Sequence, residues 1–269
     1  MNKLPAYLFE YTGRKFFVED LIRALKKIGI KSGDKLFVHS DLKSFGKVNP
    51  QIAGEEYLGA FLAALIDSVG KNGTVIMPTF SYSFCRGEIY DPQKTPSTVG
   101  SLTEYFRQSA GVVRTIDPIF SVAIWGADRK FYQTVGSDCF GANSIFQKIH
   151  DANFKILFLG ETFALTYLHF IEQAHRIPYR FIKKFAGKIL TDGKLTERTF
   201  DYFVRPLDGS VGYDLGEIAH FIDKKGILRK SKLGYSNVCL VGARDVYRVI
   251  ARALGENLRF LISTENKNE

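Results

Sequence analysis

The sequence predicts an α/β fold with a mainly parallel central sheet, helices on both faces, and a C-terminal subregion formed by an antiparallel β-hairpin and a helix. Two observations predict it. Up to Arg180, short apolar runs typical of buried strands alternate with segments whose apolar residues recur at helical period. Beyond Arg180, two runs typical of strands meet at Asp192-Gly193, a dipeptide that favours a tight hairpin turn. We expect a single domain over residues 1–269.

The first elements are separated by glycine and proline turn signals. The predicted helices cover 16–28, 55–69 and 98–109, and the predicted strands cover 35–39, 74–79, 121–126 and 156–159. Between them, residues 81–96 are rich in aromatic and turn-forming residues and have no period. A loop of that length in a domain is typically a lid or a binding loop.

The second half follows from the same signals, and residues 144–150 can be helix or loop. The predicted hairpin strands cover 185–190 and 198–204, followed by a helix over 215–225, a strand over 237–241 and a helix over 244–254. The domain is therefore divided into an α/β core (35–180), an antiparallel appendage (181–236) and a closing strand and helix (237–262).

The charge of the chain favours anionic partners. Its 37 basic and 28 acidic residues leave a formal charge of +9, which attracts a nucleotide, coenzyme A or a phosphorylated sugar and disfavours polycations. The basic residues are scattered and no aromatic-flanked basic motif accompanies them, so we expect no nucleic-acid partner.

The sequence lacks the patterns that indicate membrane spans, secretion, disulfide frameworks or zinc sites. No apolar run approaches the roughly 18 residues that span a bilayer, and the N-terminus has no signal-peptide pattern, so we expect a cytoplasmic protein without membrane contact. The widely spaced Cys85, Cys139 and Cys239 indicate neither a disulfide framework nor a zinc site. We expect no metal, and a monomer or homodimer.

The segment after the strand at 156–159 carries the candidate chemistry. Thr162 is a suitable N-cap for a helix from Ala164 onwards, which places His169 away from the apolar stripe of that helix. Ligands of open α/β sheets bind at the carboxyl ends of strands, so a histidine early in the following helix is well placed to act as a base. The alternative is a packing histidine with no chemical role.

Several fragments together resemble the aminoglycoside 3-N-acetyltransferase family, also called the antibiotic N-acetyltransferase family. They are V-H-S-D-L at 38–42 with Phe45-Gly46, G-T-V-I-M-P-T-F at 73–80, Y-D-P-Q-K-T-P-S-T-V-G at 90–100, E-Y-F-R at 104–107, G-V-V-R-T at 111–115, D-P-I-F-S-V-A at 117–123, F-G-A-N-S at 140–144 and L-G-E-T-F-A-L-T-Y-L-H-F-I-E at 159–172. They follow the order of the family and cover about residues 35–180.

The resemblance implies acyl transfer from an acyl-coenzyme A, normally acetyl-CoA, to an amine without a metal or a covalent intermediate. It places His169 on the catalytic histidine of the family, and an imidazole with a pKa near 6.5 suits proton transfer at neutral pH. The resemblance also implies an acidic residue that orients this imidazole. Asp201, in D-Y-F after the hairpin, is the favoured candidate, and Glu172, in H-x-x-E, is the alternative.

The remaining expected site residues are the oxyanion donors and the contacts of the two substrates. The developing oxyanion needs fixed donors, for which the backbone near Ser40 and the hydroxyl of Thr166 or Thr79 are candidates. The expected coenzyme A contacts are His39, Ser40, Thr79, Ser97 and Ser121, with Arg107 and Arg114 for the phosphates. The expected acceptor contacts are Asp41, Tyr82, Asp117 and Glu172.

Two departures from the family pattern bear on the acceptor. Asp117-Pro118 replaces the usual His-Pro, and Asp41 replaces a second serine after His39-Ser40. Together with the positive charge, they favour an anionic amine acceptor such as a nucleotide-linked amino sugar of surface-polysaccharide synthesis. The alternatives are an aminoglycoside acetyltransferase that confers antibiotic resistance, and a catalytically silent module that binds coenzyme A or a nucleotide.

Overall fold

The structure is a computed structural model that describes residues 7–161 and 163–262. The strands are β1 (Phe9–Tyr11), β2 (Arg14–Phe16), β3 (Lys35–Ser40), β4 (Lys47–Val48), β5 (Thr74–Pro78), β6 (Val113–Arg114), β7 (Val122–Gly126), β8 (Lys155–Leu159), β9 (Phe181–Thr191), β10 (Lys194–Val204), β11 (Arg229–Leu233) and β12 (Ser236–Gly242). The helices are α1 (Val18–Lys27), α2 (Gly54–Val69), α3 (Ser101–Gln108), α4 (Arg129–Gln133), α5 (Ile145–Asp151), α6 (Leu168–Ala174), α7 (Leu215–Lys224) and α8 (Ala243–Glu256). Short 3₁₀ helices lie at Leu42–Phe45 and Phe84–Arg86.

In the described residues, seven strands form a mixed sheet in the order β11-β12-β8-β3-β5-β7-β6. Its three central strands are parallel, because β3 pairs in parallel with both β5 and β8. The flanking strands β12 and β7 pair antiparallel with this centre, and β11 and β6 extend the sheet antiparallel at its two ends. The carboxyl ends of β3, β5 and β8 therefore lie at one edge of the sheet.

Alternating side chains of the central strands face two helical layers. On β3, Leu36 and Val38 pack in one buried cluster with residues of α1, α2 and α3, whereas Phe37 packs in a second cluster with residues of α4 to α8. Both faces are therefore covered, which is why these strands read as unbroken apolar runs. None of the helices in the described ranges is long and apolar enough to cross a membrane.

The expected α/β class with helices on both faces is confirmed, and so is the C-terminal antiparallel hairpin. The sheet itself is mixed, so the expectation of a mainly parallel sheet holds for its centre alone. An apolar run predicts a buried strand but carries no information about direction, which depends on how the connections return. Between β5 and β7, the long connection through α3 and β6 returns the chain antiparallel to β5.

The hairpin of β9 and β10 forms a separate two-stranded sheet. Thr191 pairs with Lys194, and the turn residues Asp192 and Gly193 have φ angles of 50° and 75°. Both angles are left-handed, as a two-residue hairpin turn requires, so the turn predicted from Asp192-Gly193 is confirmed. Its strands are longer than expected, because their outer parts mix exposed apolar residues with charged ones and show no regular alternation.

Five short strands escaped prediction. β1, β2 and β4 form a small three-stranded sheet near the N-terminus, each two or three residues long. β6 has two residues, and β11, with the sequence RKSKL, pairs with β12 in the central sheet. Segments this short or this basic have no apolar period, so only their pairing partners define them as strands.

Candidate active site

A histidine and a glutamate on one face of α6 form the centre of the site. Nδ1 of His169 lies 2.8 Å from Oε2 of Glu172, three residues later in the helix. A carboxylate only accepts hydrogen bonds, so Nδ1 carries the ring proton and donates a hydrogen bond to Glu172. In the neutral ring, Nε2 then bears the free lone pair. The His169 side chain is 20% exposed and that of Glu172 is fully buried.

Besides its contact with the imidazole, Glu172 accepts two further hydrogen bonds and forms an ion pair with Arg180. The hydroxyls of Tyr179 and Tyr213 donate to Oε1 at 2.8 and 2.6 Å, and Nε of Arg180 lies 3.0 Å from Oε2. Burial opposes ionisation of Glu172, but the hydrogen bond from His169, the charge of Arg180 and the Tyr213 hydroxyl outweigh it and lower the pKa of the carboxyl group. Glu172 is therefore ionised at neutral pH.

Arg180 ties α6 to the hairpin. Its side chain is 2% exposed, and its Nη1 donates to the carbonyl oxygen of Phe203 on β10 at 2.8 Å. Its Nη2 lies 3.1 Å from Nδ1 of His169. Because the Nδ1 proton points to Glu172, this second contact acts through charge. Burial and the positive charges of Arg180 and Arg205 lower the pKa of His169, against the opposing hydrogen bond to Glu172.

Aromatic rings surround the imidazole. Phe140 meets it edge to face with ring centroids 5.2 Å apart, and the Tyr213 ring lies 5.7 Å away. Phe140 continues to Phe120 at 4.5 Å, and Phe120 contacts Tyr202 of the hairpin at 4.9 Å. A neutral imidazole, held by a buried carboxylate among apolar rings, has the protonation state and orientation of a general base.

The acid that contacts the imidazole is Glu172, and not the favoured candidate Asp201. Asp201 lies on β10, where its Oδ1 is 3.2 Å from Nζ of Lys184 and its backbone N–H and C=O bond to Ser137 and Cys139. An acid three residues along a helix reaches the imidazole locally. The hairpin contributes a backbone carbonyl, that of Phe203, in place of a carboxylate.

Thr166 lies in a turn before α6, and not within the helix. The helix begins at Leu168, later than expected, and the carbonyl oxygen of Thr166 accepts from the N–H of His169 at 3.0 Å. The side chain of Thr166 is half-buried. The predicted N-cap, Thr162, lies outside the described residues.

The exits of β3 and β8 lie in contact. Gly160, with φ of 99°, follows β8, and a Cβ added to it would lie 2.1 Å from the carbonyl oxygen of Asp41.

Arg114, Thr79 and Ser121, three of the expected coenzyme A contacts, form a closed polar cluster. Arg114 is 5% exposed and donates to the Thr79 carbonyl at 2.5 Å, to the hydroxyls of Thr79 and Ser121 at 3.1 and 3.2 Å, and to the carbonyl of Thr95. Ser121 in turn donates to the Thr79 carbonyl at 2.8 Å. The guanidinium is occupied by protein groups, so it anchors the loop that precedes α3.

Arg107 and Ser97 belong to a second structural cluster, around Glu104. Arg107 donates to both carboxylate oxygens of Glu104, at 2.8 and 2.5 Å, and its side chain is 7% exposed. The backbone N–H of Ser97 donates to the same carboxylate at 2.8 Å. The hydrogen bond from Arg107 lowers the pKa of Glu104 to about 2. Arg107, an expected phosphate contact, thus pairs with an acid on its own helix.

His39, Ser40 and Asp41 lie at the carboxyl end of β3. His39 is 4% exposed, with ring centroids 4.7 Å from Phe37 and 5.5 Å from Phe158, and burial lowers its pKa to about 3. Within the described part of the chain its Nε2 is buried without a partner. Ser40 and Asp41 are half-buried, so both are accessible at the edge where ligands of such sheets bind.

Asp117 and Tyr82 have different surroundings. Asp117 is 4% exposed and accepts from the backbone N–H groups of Ile119 and Phe120 at 2.8 and 2.9 Å, so it shapes a turn. Burial raises its pKa, against those two hydrogen bonds. Tyr82 is half-buried, and its ring lies 5.4 Å from Phe120, which contacts Phe140 beside the imidazole.

Sequence reasoning missed Tyr179, Arg180 and Tyr213. Tyr179 and Arg180 follow α6 directly, but a Tyr-Arg pair has no periodic or motif signal. Tyr213 comes from the segment between β10 and α7, 41 residues from Glu172 in sequence. Tyr213 reaches Glu172 only when the segment after the hairpin folds back on α6, so a single sequence does not connect them.

Comparison with known proteins agrees with this architecture. The sequence model described as aminoglycoside 3-N-acetyltransferase matches residues 37–255. The SPbeta prophage-derived aminoglycoside N(3')-acetyltransferase-like protein YokD of Bacillus subtilis is 29% identical over 201 residues, covering 65% of this chain and 71% of that protein. Aminoglycoside N(3)-acetyltransferase VIII of Streptomyces fradiae is 25% identical over 261 residues, covering 85% and 88%. A solved structure of AAC-IIIb in binary complex with CoASH has a TM-score of 0.78 and 23% identity, covering 93% of this chain and 98% of that one, which shows a shared fold.

Proposed function

Since the chain belongs to the aminoglycoside 3-N-acetyltransferase family, we propose that it transfers an acetyl group from acetyl-CoA to an amine of an aminoglycoside, with His169 as the general base. The observation that carries the proposal is the hydrogen bond of 2.8 Å from His169 Nδ1 to the buried Glu172. It leaves Nε2 free to accept a proton, on a side chain that remains 20% exposed.

The reaction needs one base and no covalent intermediate. The amine nitrogen attacks the thioester carbonyl carbon and forms the C–N bond, while Nε2 of His169 takes the proton that the nitrogen loses. The C–S bond then breaks, and the imidazolium returns its proton to the thiolate of coenzyme A. Glu172 stabilises the imidazolium between the two steps, because its charge lies on the opposite nitrogen.

For the thioester we propose the edge formed by the exits of β3 and β8. Ser40 is accessible there, whereas Thr79, Ser121, Arg107 and Arg114 are engaged with protein groups. The hydroxyl of Thr166, three residues before His169, remains our candidate donor to the oxyanion. Backbone N–H groups near Ser40 are the alternative donors.

An anionic amino sugar, such as a nucleotide-linked one, is the second candidate acceptor. The formal charge of +9 favours it. The charges beside the imidazole agree, because the positive charges of Arg180 and Arg205 act on it while the carboxylate of Glu172 is buried and paired. The name of the family and that of the Streptomyces fradiae relative support the aminoglycoside more directly.

An acetylation assay tests both candidates. Purified protein is supplied with acetyl-CoA and with either kanamycin or UDP-glucosamine, and release of the free thiol is measured for wild type, His169→Ala and His220→Ala. His220 is an exposed histidine on α7 and serves as the control. We expect turnover of kanamycin, a loss of about 10²-fold or more for His169→Ala, and no change for His220→Ala.

The other outcomes are informative. Turnover of UDP-glucosamine and not of kanamycin would favour the anionic amino sugar over the aminoglycoside as the acceptor. Wild-type kcat in His169→Ala would exclude His169 as the base. Binding of acetyl-CoA without turnover of either amine would favour a catalytically silent module.

A further inference from the structure

We infer that Tyr82 and Tyr202 form a subsite that binds a sugar ring of the amine acceptor through their hydroxyl groups. The inference rests on the proposed function, since it assigns the acceptor side of the same site. Tyr82 follows β5, and Tyr202 lies on the hairpin strand β10. The two side chains come from distant parts of the chain and meet at one aromatic cluster.

The cluster connects both tyrosines to the general base through two phenylalanine rings. Phe140 lies between His169 and Tyr202, with ring centroids 5.2 and 5.9 Å from them. Phe120 lies between Tyr202 and Tyr82, with ring centroids 4.9 and 5.4 Å from them. Phe120 and Phe140 are 2% and 0% exposed, whereas the two tyrosines are half-buried and accessible. The tyrosines therefore form the accessible surface of the cluster.

The hydroxyls of these two tyrosines differ from those of the buried tyrosines. In the described part of the chain, the hydroxyls of the buried tyrosines are hydrogen-bonded within the protein: Tyr57 to Leu42, Tyr90 to Thr115, Tyr132 to Lys35, Tyr167 to His150 and Tyr179 to Glu172. Across 7–161 and 163–262, the hydroxyls of Tyr82 and Tyr202 have no such partner. Because both side chains are half-buried and accessible, these hydroxyls remain available to hydrogen-bond with a ligand at this position.

The chemistry of the pair suits a sugar ring with hydroxyl and amino substituents. Burial raises the pKa of both tyrosines, so each hydroxyl stays protonated at neutral pH and can donate as well as accept. The apolar C–H face of a pyranose or cyclitol packs on aromatic rings, while its substituents hydrogen-bond with the hydroxyls. A ring bound by the two tyrosines would lie at the end of the aromatic cluster that leads through Phe140 to His169.

The backbone holds Tyr82 in an uncommon conformation. Its φ is +53°, which is rare for a bulky residue, and the N–H of the next residue, Ser83, donates to the carbonyl of Pro118 at 2.9 Å. The backbone next to Tyr82 is therefore held in place by the segment at Pro118. Residues held in this way are frequent in ligand sites, because the fold supports a conformation that the residue alone disfavours.

The test compares substitutions that remove only a hydroxyl. Tyr202→Phe and Tyr82→Phe keep the aromatic packing, and Tyr105→Phe is the matched control: it alters a half-buried tyrosine on α3, in the opposite helical layer. With kanamycin as the probe, we expect each site variant to raise the KM for kanamycin about 3- to 10-fold, the loss of one neutral hydrogen bond. The KM for acetyl-CoA, and the control variant, should not change.

Three outcomes would overturn the inference. The KM values for both substrates could stay at wild type, the KM for acetyl-CoA could rise in place of that for kanamycin, or calorimetry could show no kanamycin binding to wild-type protein. Measuring His169→Ala alongside separates the two proposals. If His169→Ala kept wild-type kcat while Tyr202→Phe still weakened kanamycin binding, the subsite would stand and the assignment of the base would fall.

Discussion

Arg180 and Arg114 are both buried arginines beside a sheet edge, yet their partners differ in kind. Arg180 faces the carboxylate of Glu172, and although burial opposes its charge, the charge of Glu172 raises the pKa of Arg180. Arg114 donates to hydroxyls and backbone carbonyls with no carboxylate among these partners, and burial lowers its pKa. One arginine belongs to a charge network, and the other belongs to a scaffold.

The difference shows how to separate a site from its support. The Arg180 network ends at a half-buried imidazole whose Nε2 has a free lone pair, so its charges can act on a reacting group. The Arg114 network closes on itself around Thr79 and Ser121 and fixes the loop before α3. Both networks contain buried polar groups. The Arg180 network differs because it includes an accessible titratable group, which marks it as the site of chemistry.

Glu172→Gln should produce the largest effect, because it removes the charge that stabilises the imidazolium. We expect kcat to fall by about 10²- to 10⁴-fold. Asp201→Asn is the matched control, since Asp201 pairs with the exposed Lys184, and it should leave kcat unchanged. Steady-state kinetics on both variants decide between the two acids. A larger loss in Asp201→Asn would show that the carboxylate of the hairpin acts on the imidazole.

Arg114→Met should affect stability more than chemistry. Removing the guanidinium leaves buried carbonyl groups such as that of Thr95 without a donor, so we expect a loss of about 2–3 kcal/mol in the free energy of unfolding. The pH dependence of activity should match wild type. Urea denaturation measures the first quantity and a pH–rate profile the second. Full stability combined with a raised KM for acetyl-CoA would instead mean that Arg114 binds a phosphate.

Arg205→Gln should give the smallest effect, seen only in the pH profile. The pKa of His169 is below its ordinary value of 6.5, so kcat/KM in wild type should rise with pH through that lowered pKa and be level by neutral pH. Removing the positive charge of Arg205 raises the pKa, which moves the acid limb to higher pH. High salt should reduce the difference because Arg205 is exposed. A shift to lower pH would contradict this electrostatic account.

Local patterns were sufficient for much of the fold. The apolar runs at β3, β5 and β8 and the turn at Asp192-Gly193 are properties of neighbouring residues, and each was located from them. The direction of β7 and the pairing of β11 were not, because both depend on where a long connection returns. The helical spacing of apolar residues begins at Leu165, in the turn that precedes α6, so the sequence predicts an earlier start for this helix than Leu168.

The same division holds for the site. By itself, the sequence determined the α/β class, the hairpin, the resemblance to the family and the position of His169 after a buried strand, because these follow from residue periodicity and short motifs. Only the tertiary structure decided that Glu172 and not Asp201 meets the imidazole, that Arg114 is occupied by the scaffold, and that Arg180 and Tyr213 complete the network. The contacts of Tyr213 with Glu172 and of Arg114 with Thr79 join segments far apart in the chain. The choice between Glu172 and Asp201 depends on where the hairpin packs, which no local pattern records.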